Sequence, residues 1–329
     1  MELLLTGLKL VEAVNTANNY KMDIFYQLKT RLKEEGAECS IVSASHIPEL
    51  ESEILLLFKD SLINAGLYKK YIQDYFDFTI TDKNLSVRSL IIIATPSPQV
   101  NVKFTINNSF YWFKIPPIYS DRINVTGNIK NITSQIFNRN GYKTIPVILP
   151  KKLLAAHSGI AKFGKNNLCY VPGMGSYHRL TVFASDLQYK YDSWQDLKVL
   201  DKCNSCNACY NNCPTSAISN ERFIIKAERC LTYFNEQQYP FPWWIDGRSH
   251  NSIVGCMKCQ DICPENKKYF SAKESKEEFS KTETRLILEG VSFKELPEKL
   301  QLKLKNLCLK NYYIQLSRNL EVLIKNKLT

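Results

Sequence analysis

The sequence has no apolar run long enough to cross a membrane, which requires about 20 consecutive residues. Its longest apolar runs, such as SLIIIA at residues 89–94, have the length of a buried strand. The opening MELLLTGLKLVEAV also lacks the basic start that is typical of a secretory signal. We therefore expect no membrane segment and a cytoplasmic location.

Histidine is scarce, with four residues in 329, and none of them lies within the closely spaced cysteines at 203–213 or 256–263. Cysteine is not scarce, and eight of the eleven cysteines fall between residues 203 and 263. Disulfide frameworks are typical of short secreted domains, and this chain is long and has no predicted signal. The clustering indicates a metal site, and zinc, which usually takes two separate sulfur pairs, is the competing metal.

Acidic residues are nearly missing between residues 101 and 190. Twelve Lys and Arg residues lie there against Asp121 and Asp186, so this segment carries +10 of the formal net charge of +11. A basic surface can serve solubility alone, or it can bind an anionic partner such as a nucleic acid or a phosphate-bearing cofactor. The sequence leaves both interpretations open.

The cysteines form two runs, each of which ends in Cys-Pro. The first run is Cys203, Cys206, Cys209 and Cys213, followed by Pro214, and the second is Cys230, Cys256, Cys259 and Cys263, followed by Pro264. A C-x2-C-x2-C loop is typical of a four-iron cluster, and in two-cluster ferredoxins the fourth cysteine of each run ligates the other cluster.

This crossing rule predicts two [4Fe–4S] clusters. The predicted ligands of cluster 1 are Cys203, Cys206, Cys209 and Cys263, and those of cluster 2 are Cys213, Cys230, Cys256 and Cys259. Structural zinc sites or free core thiols are the alternative interpretation. We interpret the remaining cysteines, Cys39, Cys169 and Cys308, as small buried residues.

Hydrophobic periodicity predicts an α+β protein with four parts. These are an N-terminal extension at 1–22, an α/β layer domain at 23–195, a ferredoxin-like double-cluster domain at 196–270 and a C-terminal helical segment at 271–329. Asn107 and Asn108 predict a tight hairpin turn, and Ser280 with Glu283 predicts a capping box at a helix start.

Four stretches carry a family resemblance. CNSCNACYNNCPTSAI, RCLTYFNE and VGCMKCQDICPEN resemble the double-cluster domain of the epoxyqueuosine reductases, which share their plan with the reductive dehalogenases. Upstream, SGIAKFGKNNLCYVPGMGS is similar to the glycine-rich segment that precedes that domain in the family. The resemblance covers roughly residues 23 to 270, and its departures from the family pattern suggest a divergent paralogue.

The resemblance implies a cobalamin-binding-like N-terminal domain, with a cobalamin held between this domain and the clusters. Electrons would pass from a donor such as ferredoxin or flavodoxin through the clusters to the corrinoid. The implied substrate is a modified base in a tRNA, which the basic segment suits. From the glycine-rich segment, the candidate cofactor-binding residues are Gly159, Gly164, Lys165, Asn166, Gly175 and Ser176.

The proton donor is the point at which this sequence departs most from the family. The resemblance implies an aspartate about a dozen residues before the glycine-rich segment, where this chain has Ile145 and Pro146. The candidate replacements are His157, Tyr177 and His178. We also expect Trp243 and Trp244 to shield a cluster from water.

Three alternatives to this reductase remain. The chain could be a paralogue that acts on another substrate, or a cobalamin-free [4Fe–4S] electron-transfer protein. It could also be an RNA-binding protein whose clusters serve only as structural staples.

Overall fold

The computed structural model describes residues 24–82, 84–120, 125–269 and 273–328, so the predicted N-terminal extension lies outside the described residues. The strands are β1 Glu38–Ser43, β2 Ser89–Pro96, β3 Val100–Ile106, β4 Ser109–Ile115, β5 Thr144–Pro146, β6 Lys162–Phe163, β7 Cys169–Tyr170, β8 His178–Ser185 and β9 Lys273–Phe279. The helices are α1 at 24–34, α2 Ile47–Lys59, α3 Ala65–Tyr68, α4 Val125–Arg139, α5 Lys151–His157, α6 Ala208–Asn211, α7 Leu231–Glu236, α8 Lys258–Asp261, α9 Lys281–Leu288, α10 Glu298–Asn306 and α11 Tyr313–Leu328.

The first sheet has the order β1-β2-β8-β5, and every neighbouring pair in it is antiparallel. Strand β2 lies inside this sheet, and seven of its eight residues are buried. Successive side chains of a strand point to opposite faces of the sheet. Both faces of β2 must therefore be covered by other elements.

Helices cover both faces of this sheet. Leu90 and Ile92 of β2 pack with α2 and α5, whereas Ile91 and Ile93 pack with α1 and α4. The result is a layer of helices on each side of a sheet. This arrangement confirms the prediction of an α/β layer architecture in this part of an α+β protein.

The second sheet has the order β4-β3-β9 and corrects one prediction about the C-terminal segment. Residues 271–329 were predicted to be helical, but β9 pairs with β3 in parallel. The sequence of β9, KESKEEF, has only one buried residue, Phe279, because it is an edge strand. Charged edge strands lack the apolar alternation that identifies a strand from sequence.

The C-terminal helices α9, α10 and α11 share one hydrophobic core with the β3–β4 hairpin. Phe104 of β3 stacks on Phe279 of β9, with ring centroids 4.4 Å apart. The predicted continuous helical pattern from residue 296 to 328 is divided between α10 and α11. The C-terminal segment therefore packs on the hairpin rather than standing apart.

Several local signals in the sequence are confirmed. Asn107 and Asn108 both have positive φ, as a two-residue hairpin turn requires. Ser280 accepts a hydrogen bond from the Glu283 backbone N–H, and the Glu283 side chain accepts one from the Ser280 N–H, which completes the capping box.

Two of the three isolated cysteines are confirmed as buried. Cys39 and Cys169 lie in β1 and β7, and burial raises the pKa of each thiol to about 12. Cys308 is only half-buried and lies in a turn with a φ of +55°. Among the described residues, no helix is both long and apolar enough to span a membrane.

Candidate metal and cofactor site

The thiols predicted to bind cluster 1 lie close to one another. Burial and the neighbouring Cys203, Cys263 and Cys206 together raise the pKa of Cys209 to about 11. Burial also raises the pKa of Cys203, which interacts with Cys263 and Cys206. We call these four residues the first thiol group. It joins three cysteines of the first run to the last cysteine of the second run.

The other four cysteines form the second thiol group, Cys213, Cys230, Cys256 and Cys259. Burial raises the pKa of Cys256 to about 11, and nearby Cys230 and Cys213 contribute to the rise. Burial raises the pKa of Cys259 well above its ordinary value, and interactions with Cys256, Cys230 and Cys213 act in the same direction. Cys259 also interacts with Cys209, so the two thiol groups adjoin.

Two short helices hold these groups in similar ways. Helix α6 carries Cys209, helix α8 carries Cys259, and the two helices contact each other. The Asn212 side-chain amide ties the two turns together by donating to the Lys258 carbonyl at 2.7 Å. This pairing explains how two sequence runs that are about fifty residues apart can exchange their fourth cysteines.

The chemistry of the donor sets fits four-iron clusters. Among the described residues, no three or more His, Cys, Asp or Glu side chains are arranged to hold a metal ion directly. A tetrahedral zinc ion draws four sulfurs to about 2.3 Å from the metal, whereas a four-iron core separates its thiolates more widely. Four thiols in each of two adjoining groups match the ligand count of two four-iron clusters.

Side-chain donors point at the sulfurs. Tyr170 Oη donates to Cys263 Sγ at 3.2 Å, and Asn166 Nδ2 in turn donates to Tyr170 Oη at 3.0 Å. In the second group, Asn251 Nδ2 donates to Cys256 Sγ at 3.3 Å. Hydrogen bonds to cluster sulfurs are one of the means by which a protein sets cluster potential.

The structure directs the glycine-rich segment toward the cluster-bearing loops. Lys165 Nζ donates to Asn207 Oδ1 at 2.8 Å, and Asn166 supports Tyr170 as described above. A Cβ on Gly164 would lie 2.5 Å from the Tyr170 ring. These residues therefore link the glycine-rich segment to the first thiol group and its loop, and their predicted role in binding a cofactor stays a prediction.

The remaining three candidates of this segment also contact protein. A Cβ on Gly159 would lie 2.0 Å from Gln195 Nε2. Ser176 Oγ donates to Gln260 Oε1 at 2.9 Å, and its backbone N–H donates to Asn266 Oδ1 at 2.9 Å. Gly175 lies against the same Asn266 side chain. This segment therefore contacts the cluster-bearing loops, and its predicted contact with a corrinoid stays a prediction.

The glycine at position 175 gives a testable consequence of this packing. Its φ is +58°, and a Cβ there would lie 2.5 Å from Asn266 Oδ1, whereas Gly173, with a φ of +81°, has open space. Alanine at either site adds left-handed strain of about 1–2 kcal/mol. Gly175→Ala is expected to cost roughly 1–3 kcal/mol more than Gly173→Ala, because it also overpacks the contact.

Anaerobic thermal unfolding of the cluster-loaded protein measures this difference, with Gly173→Ala as the matched control. Equal unfolding midpoints for the two variants would show that the Gly175 contact does not hold the cluster loop.

Of the three candidate proton donors, His157 is fully engaged by protein. Its Nδ1 lies 2.8 Å from the Gln195 carbonyl oxygen and its Nε2 lies 2.9 Å from Glu53 Oε2. Two acceptors require both ring nitrogens to carry protons. The ring also stacks on Trp194, whose other face stacks on His46, each pair with a centroid separation of 4.2 Å. These contacts hold the His157 ring in place, and its role as a proton donor stays a prediction.

The pKa of His157 provides a prediction. Burial opposes the charged form, but hydrogen bonds to Glu53 and the Gln195 carbonyl outweigh it and raise the pKa above 6.5. Because the folded pKa is raised, the stabilisation is complete below the unfolded value and is lost as pH rises through the folded value. We expect Glu53→Gln to lower the pKa of His157, as measured by NMR titration of the histidine ring. An unchanged titration in Glu53→Gln would contradict the ion pair.

The other two candidate proton donors, His178 and Tyr177, have shifted pKa values that leave each of them neutral near pH 7. Burial lowers the pKa of His178 to about 4, so its ring is neutral near pH 7, and its Nδ1 donates to the Gly175 carbonyl at 3.0 Å. Burial, Asp261 and nearby cysteines raise the pKa of Tyr177 to about 12, and its Oη has no hydrogen-bond partner among the described residues. Tyr177 is thus a weak acid that faces the junction of the two thiol groups.

Sequence reasoning missed a connected set of ionisable side chains beside the second thiol group. We call it the ionisable network, and its members are Lys70, Tyr119, Lys151, Arg179, Glu236 and Tyr312. Desolvation lowers the pKa of Lys151, and the positive charge of Arg179 lowers it further. Arg179 and Glu236 act in opposite directions on the pKa of Tyr312, which burial raises.

The network reaches the cluster domain through Tyr119. Its ring packs edge-on against Tyr312 at 5.2 Å, and its hydroxyl donates to Glu236 Oε1. Burial raises the pKa of Tyr119, and Glu236 and Cys230 of the second thiol group also contribute. The network therefore lies where the α/β layers, the cluster domain and the C-terminal segment meet. Of the six residues in the network, only Glu236 lies in a stretch that carries the family resemblance, RCLTYFNE.

The tryptophan pair behaves differently from the prediction. Trp243 is 95% exposed, so it does not shield a cluster. Trp244 packs edge-on against Phe234 and belongs to the small core that Cys256 contacts. Pro240 and Pro242 both precede the pair, and only the second indole shares a core with Cys256 of the second thiol group.

The basic segment is partly neutralised by acids from outside it. Lys114 pairs with Asp261 at 2.6 Å, Lys162 pairs with Asp201 at 3.4 Å, and Lys103 pairs with Glu278. These three pairs fix lysines to the cluster domain and the C-terminal segment. The surface available to an anion is therefore less positive than the sequence count indicates.

Comparison with known proteins gives one consistent result. Residues 202–266 match the family model of a 4Fe-4S double cluster binding domain. An epoxyqueuosine reductase from Cellulophaga algicola is 26% identical over 295 residues, which cover 87% of this chain and 92% of that relative. The chain is thus similar to a curated epoxyqueuosine reductase over most of both lengths.

Solved structures show the same fold. The epoxyqueuosine reductase from Streptococcus thermophilus aligns with a TM-score of 0.66 and 18% identity, over 93% of this chain and 82% of that chain. A crystal structure of epoxyqueuosine reductase with an epoxyqueuosine-modified tRNA-Tyr stem loop aligns with a TM-score of 0.62 and 19% identity, over 93% of this chain and 85% of that chain. The predicted resemblance to epoxyqueuosine reductases is confirmed in both sequence and fold.

Proposed function

We propose that this relative of the epoxyqueuosine reductases is an iron–sulfur and corrinoid-dependent oxidoreductase that reduces epoxyqueuosine, or a closely similar modified base, in tRNA. The observation that carries the proposal is the grouping of eight thiols into two adjoining sets of four, one of which borders the ionisable network. Two neighbouring clusters can store and pass electrons one at a time. A pair of neighbouring clusters therefore suits a protein that delivers electrons to a substrate better than a protein that needs metal only for structural support.

We assign the first thiol group to cluster 1 and the second thiol group to cluster 2. Cluster 2 would stand nearer the reaction, because Tyr119 and Lys152 both interact with Cys230 of the second group. The hydrogen bonds from Tyr170 and Asn251 would hold the ligand sulfurs and tune the two potentials. Electrons would then run from cluster 1 to cluster 2.

The residues beside the second thiol group fit a corrinoid. Arg179 Nε, Tyr177 Oη and Asp261 Oδ1 are buried without hydrogen-bond partners among the described residues, and a corrinoid carries many amides that could satisfy them. Lys151 and Arg179 hold like charges close together, which favours an anionic group such as a phosphate. When bound, a corrinoid supplies a strongly reducing centre that no side chain can provide.

The partners follow from the same chemistry. A tRNA is a polyanion, and the lysines of the basic segment would neutralise phosphates without reading bases. The electron donor would be a one-electron carrier of the ferredoxin or flavodoxin class. A tRNA substrate and such a carrier would both be met in the cytoplasm. The departures from the family pattern at Ile145 and Pro146 favour a divergent paralogue.

The test is anaerobic and has two stages. The clusters are reconstituted, cobalamin is added, the free excess is removed, and visible and electron-spin spectra of the bound fraction are recorded. The loaded protein then receives a reductant and a tRNA that contains epoxyqueuosine, and the nucleosides are identified by mass spectrometry. Free cobalamin with the same reductant and tRNA is the control.

We expect retained corrinoid and conversion of the epoxide above the control. If both clusters form but no corrinoid is retained, the proposed mechanism fails and a cobalamin-free electron carrier is favoured. If corrinoid is retained but the epoxide persists, the chain is a paralogue with another substrate. Tight tRNA binding without corrinoid retention would favour an RNA-binding protein with structural clusters.

A further inference from the structure

Epoxide reduction needs protons as well as electrons. An epoxide that takes up two electrons and two protons breaks its carbon–oxygen bonds, forms a carbon–carbon double bond and releases its oxygen as water. The α/β part of this chain has no Asp or Glu between Asp121 and Asp186. A positioned acid typically contributes about 10²- to 10⁴-fold to a rate. The structure brings a carboxyl group to the reaction end of the clusters from another part of the chain.

Glu236 is the last residue of α7, the helix that begins directly after Cys230 of the second thiol group. Its Oε1 accepts a hydrogen bond from Tyr119 Oη, and its backbone carbonyl accepts one from Gln315 Nε2 at 2.6 Å. Lys70 lies near enough to favour its charged form. The carboxyl is thus fixed on one side by Tyr119 and tied to a cluster ligand by a single short helix.

The surroundings place this carboxyl beside the second thiol group. A Cβ on Gly255, the neighbour of Cys256, would lie 2.6 Å from the Tyr119 ring, so Tyr119 lies directly against the cluster-binding loop. On its other side, Tyr119 contacts Tyr312, which interacts with Arg179. Electrons that leave cluster 2 and a proton held on Glu236 would therefore be available in one place.

The electrostatics distinguish Glu236 from the other acids. Burial raises its pKa, and the opposing effects of Tyr119 and Lys70 do not cancel the rise. The other described carboxyl groups with a shifted pKa, Glu49, Asp77, Asp246 and Glu283, are all shifted downwards. An acid that must donate a proton near neutral pH needs an upward shift.

We propose that Glu236 is the proton donor of this reductase and that Tyr119 is the residue that positions it. The inference rests on the proposed function. The donor protein delivers two electrons through the clusters, Glu236 gives one proton to the departing epoxide oxygen, and solvent supplies the second. Glu236 is then reprotonated from solvent, so the residue is unchanged after each turnover.

The test compares Glu236→Gln with the wild type, both loaded with clusters and cobalamin. Glutamine keeps the shape of the side chain and can still accept the Tyr119 hydrogen bond, so folding and cluster content should be retained. We expect conversion of epoxyqueuosine tRNA to fall by about 10²- to 10⁴-fold, while the rate of cluster reduction is unchanged. Glu221→Gln, an exposed change in the same domain, is the control and should retain activity.

Two further readouts separate proton donation from a structural role. Infrared difference spectra of the loaded protein across a pH titration should show a protonated carboxyl band that is absent from Glu236→Gln. The wild-type rate should fall as pH rises through the pKa of that band, and this limb of the pH profile should be missing from the variant. Glu236→Asp should recover part of the activity.

The outcomes separate this inference from the proposed function. If the wild type converts the tRNA and Glu236→Gln does so equally fast, the role of Glu236 is overturned while the reductase stands. Absence of the carboxyl band at neutral pH also overturns it, whatever the activity. If the wild type itself converts nothing, the proposed function fails, and the assignment of Glu236 to that reaction fails with it.

Discussion

Replacing Cys213 with serine is expected to remove the cluster of the second thiol group and to leave cluster 1 intact. Cys213 follows Cys209 by four positions, yet the structure places it with Cys230 and Cys256. A lost thiolate leaves one iron without its ligand, so the iron content should fall from about eight to about four per chain. Turnover should be abolished, because the reaction end of the electron path is lost.

The measurements are iron and sulfide content and low-temperature electron-spin spectra of the reduced protein. Cys308→Ser is the control, since Cys308 belongs to neither thiol group and is only half-buried. It should keep both clusters and full activity. Loss of both clusters in Cys308→Ser would mean that iron content reports misfolding rather than ligation.

Pairs of substitutions test the crossing of the two runs. Cys213→Ser with Cys256→Ser should lose no more iron than either change alone, because both remove ligands of one cluster. Cys263→Ser with Cys256→Ser should lose both clusters, although these two cysteines stand in the same run. The reverse pattern would show that each run binds its own cluster.

The thiol grouping could be predicted from the sequence because ligand spacing is local. Three cysteines at intervals of three residues predict a tight loop, and the crossing rule of two-cluster ferredoxins assigns the fourth cysteine of each run to the other group. Strand β2 was equally clear, since SLIIIATP has the apolar continuity of a strand that is covered on both faces. In both cases the signal lies within ten or so residues.

The ionisable network could not be predicted, because its six members come from six distant elements. Lys151 begins α5, Arg179 lies in β8, and Tyr312 directly precedes α11. Nothing in the local pattern around any of them indicates that tertiary packing will desolvate them together. The strand β9 was missed for a related reason, since its charged face is stable only when β3 supplies hydrogen bonds.

The glycine-rich segment has contacts that its sequence did not indicate. Its residues are predicted to contact a corrinoid, and the structure adds that Lys165 and Ser176 form hydrogen bonds to the cluster-bearing part of the chain. The glycines permit backbone and side chains from two parts of the fold to approach closely. A glycine pattern in a sequence indicates that two parts of the fold approach each other closely, but it does not identify those parts.

Affinity for tRNA is expected to fall steeply with salt. If the basic segment neutralises about six phosphates, binding should weaken by about 10³-fold between 50 and 200 mM salt. Lys151→Gln and Lys152→Gln should each reduce the slope of log affinity against log salt by about 1, because both lysines belong to the basic segment and begin α5. Lys299→Gln, an exposed change in α10, is the matched control and should leave the slope unchanged.

Filter binding or fluorescence anisotropy with the cluster-loaded protein gives the slopes, and the three lysine variants share the same change of charge. Because each variant loses one positive charge, a general effect of net charge would shift all three slopes equally. A larger decrease of the slope in Lys151→Gln and Lys152→Gln than in Lys299→Gln would locate the phosphate contacts at the end of α5 that adjoins the ionisable network. A flat response to salt in the wild type would show that the basic segment serves solubility, and tRNA would then cease to be the expected substrate.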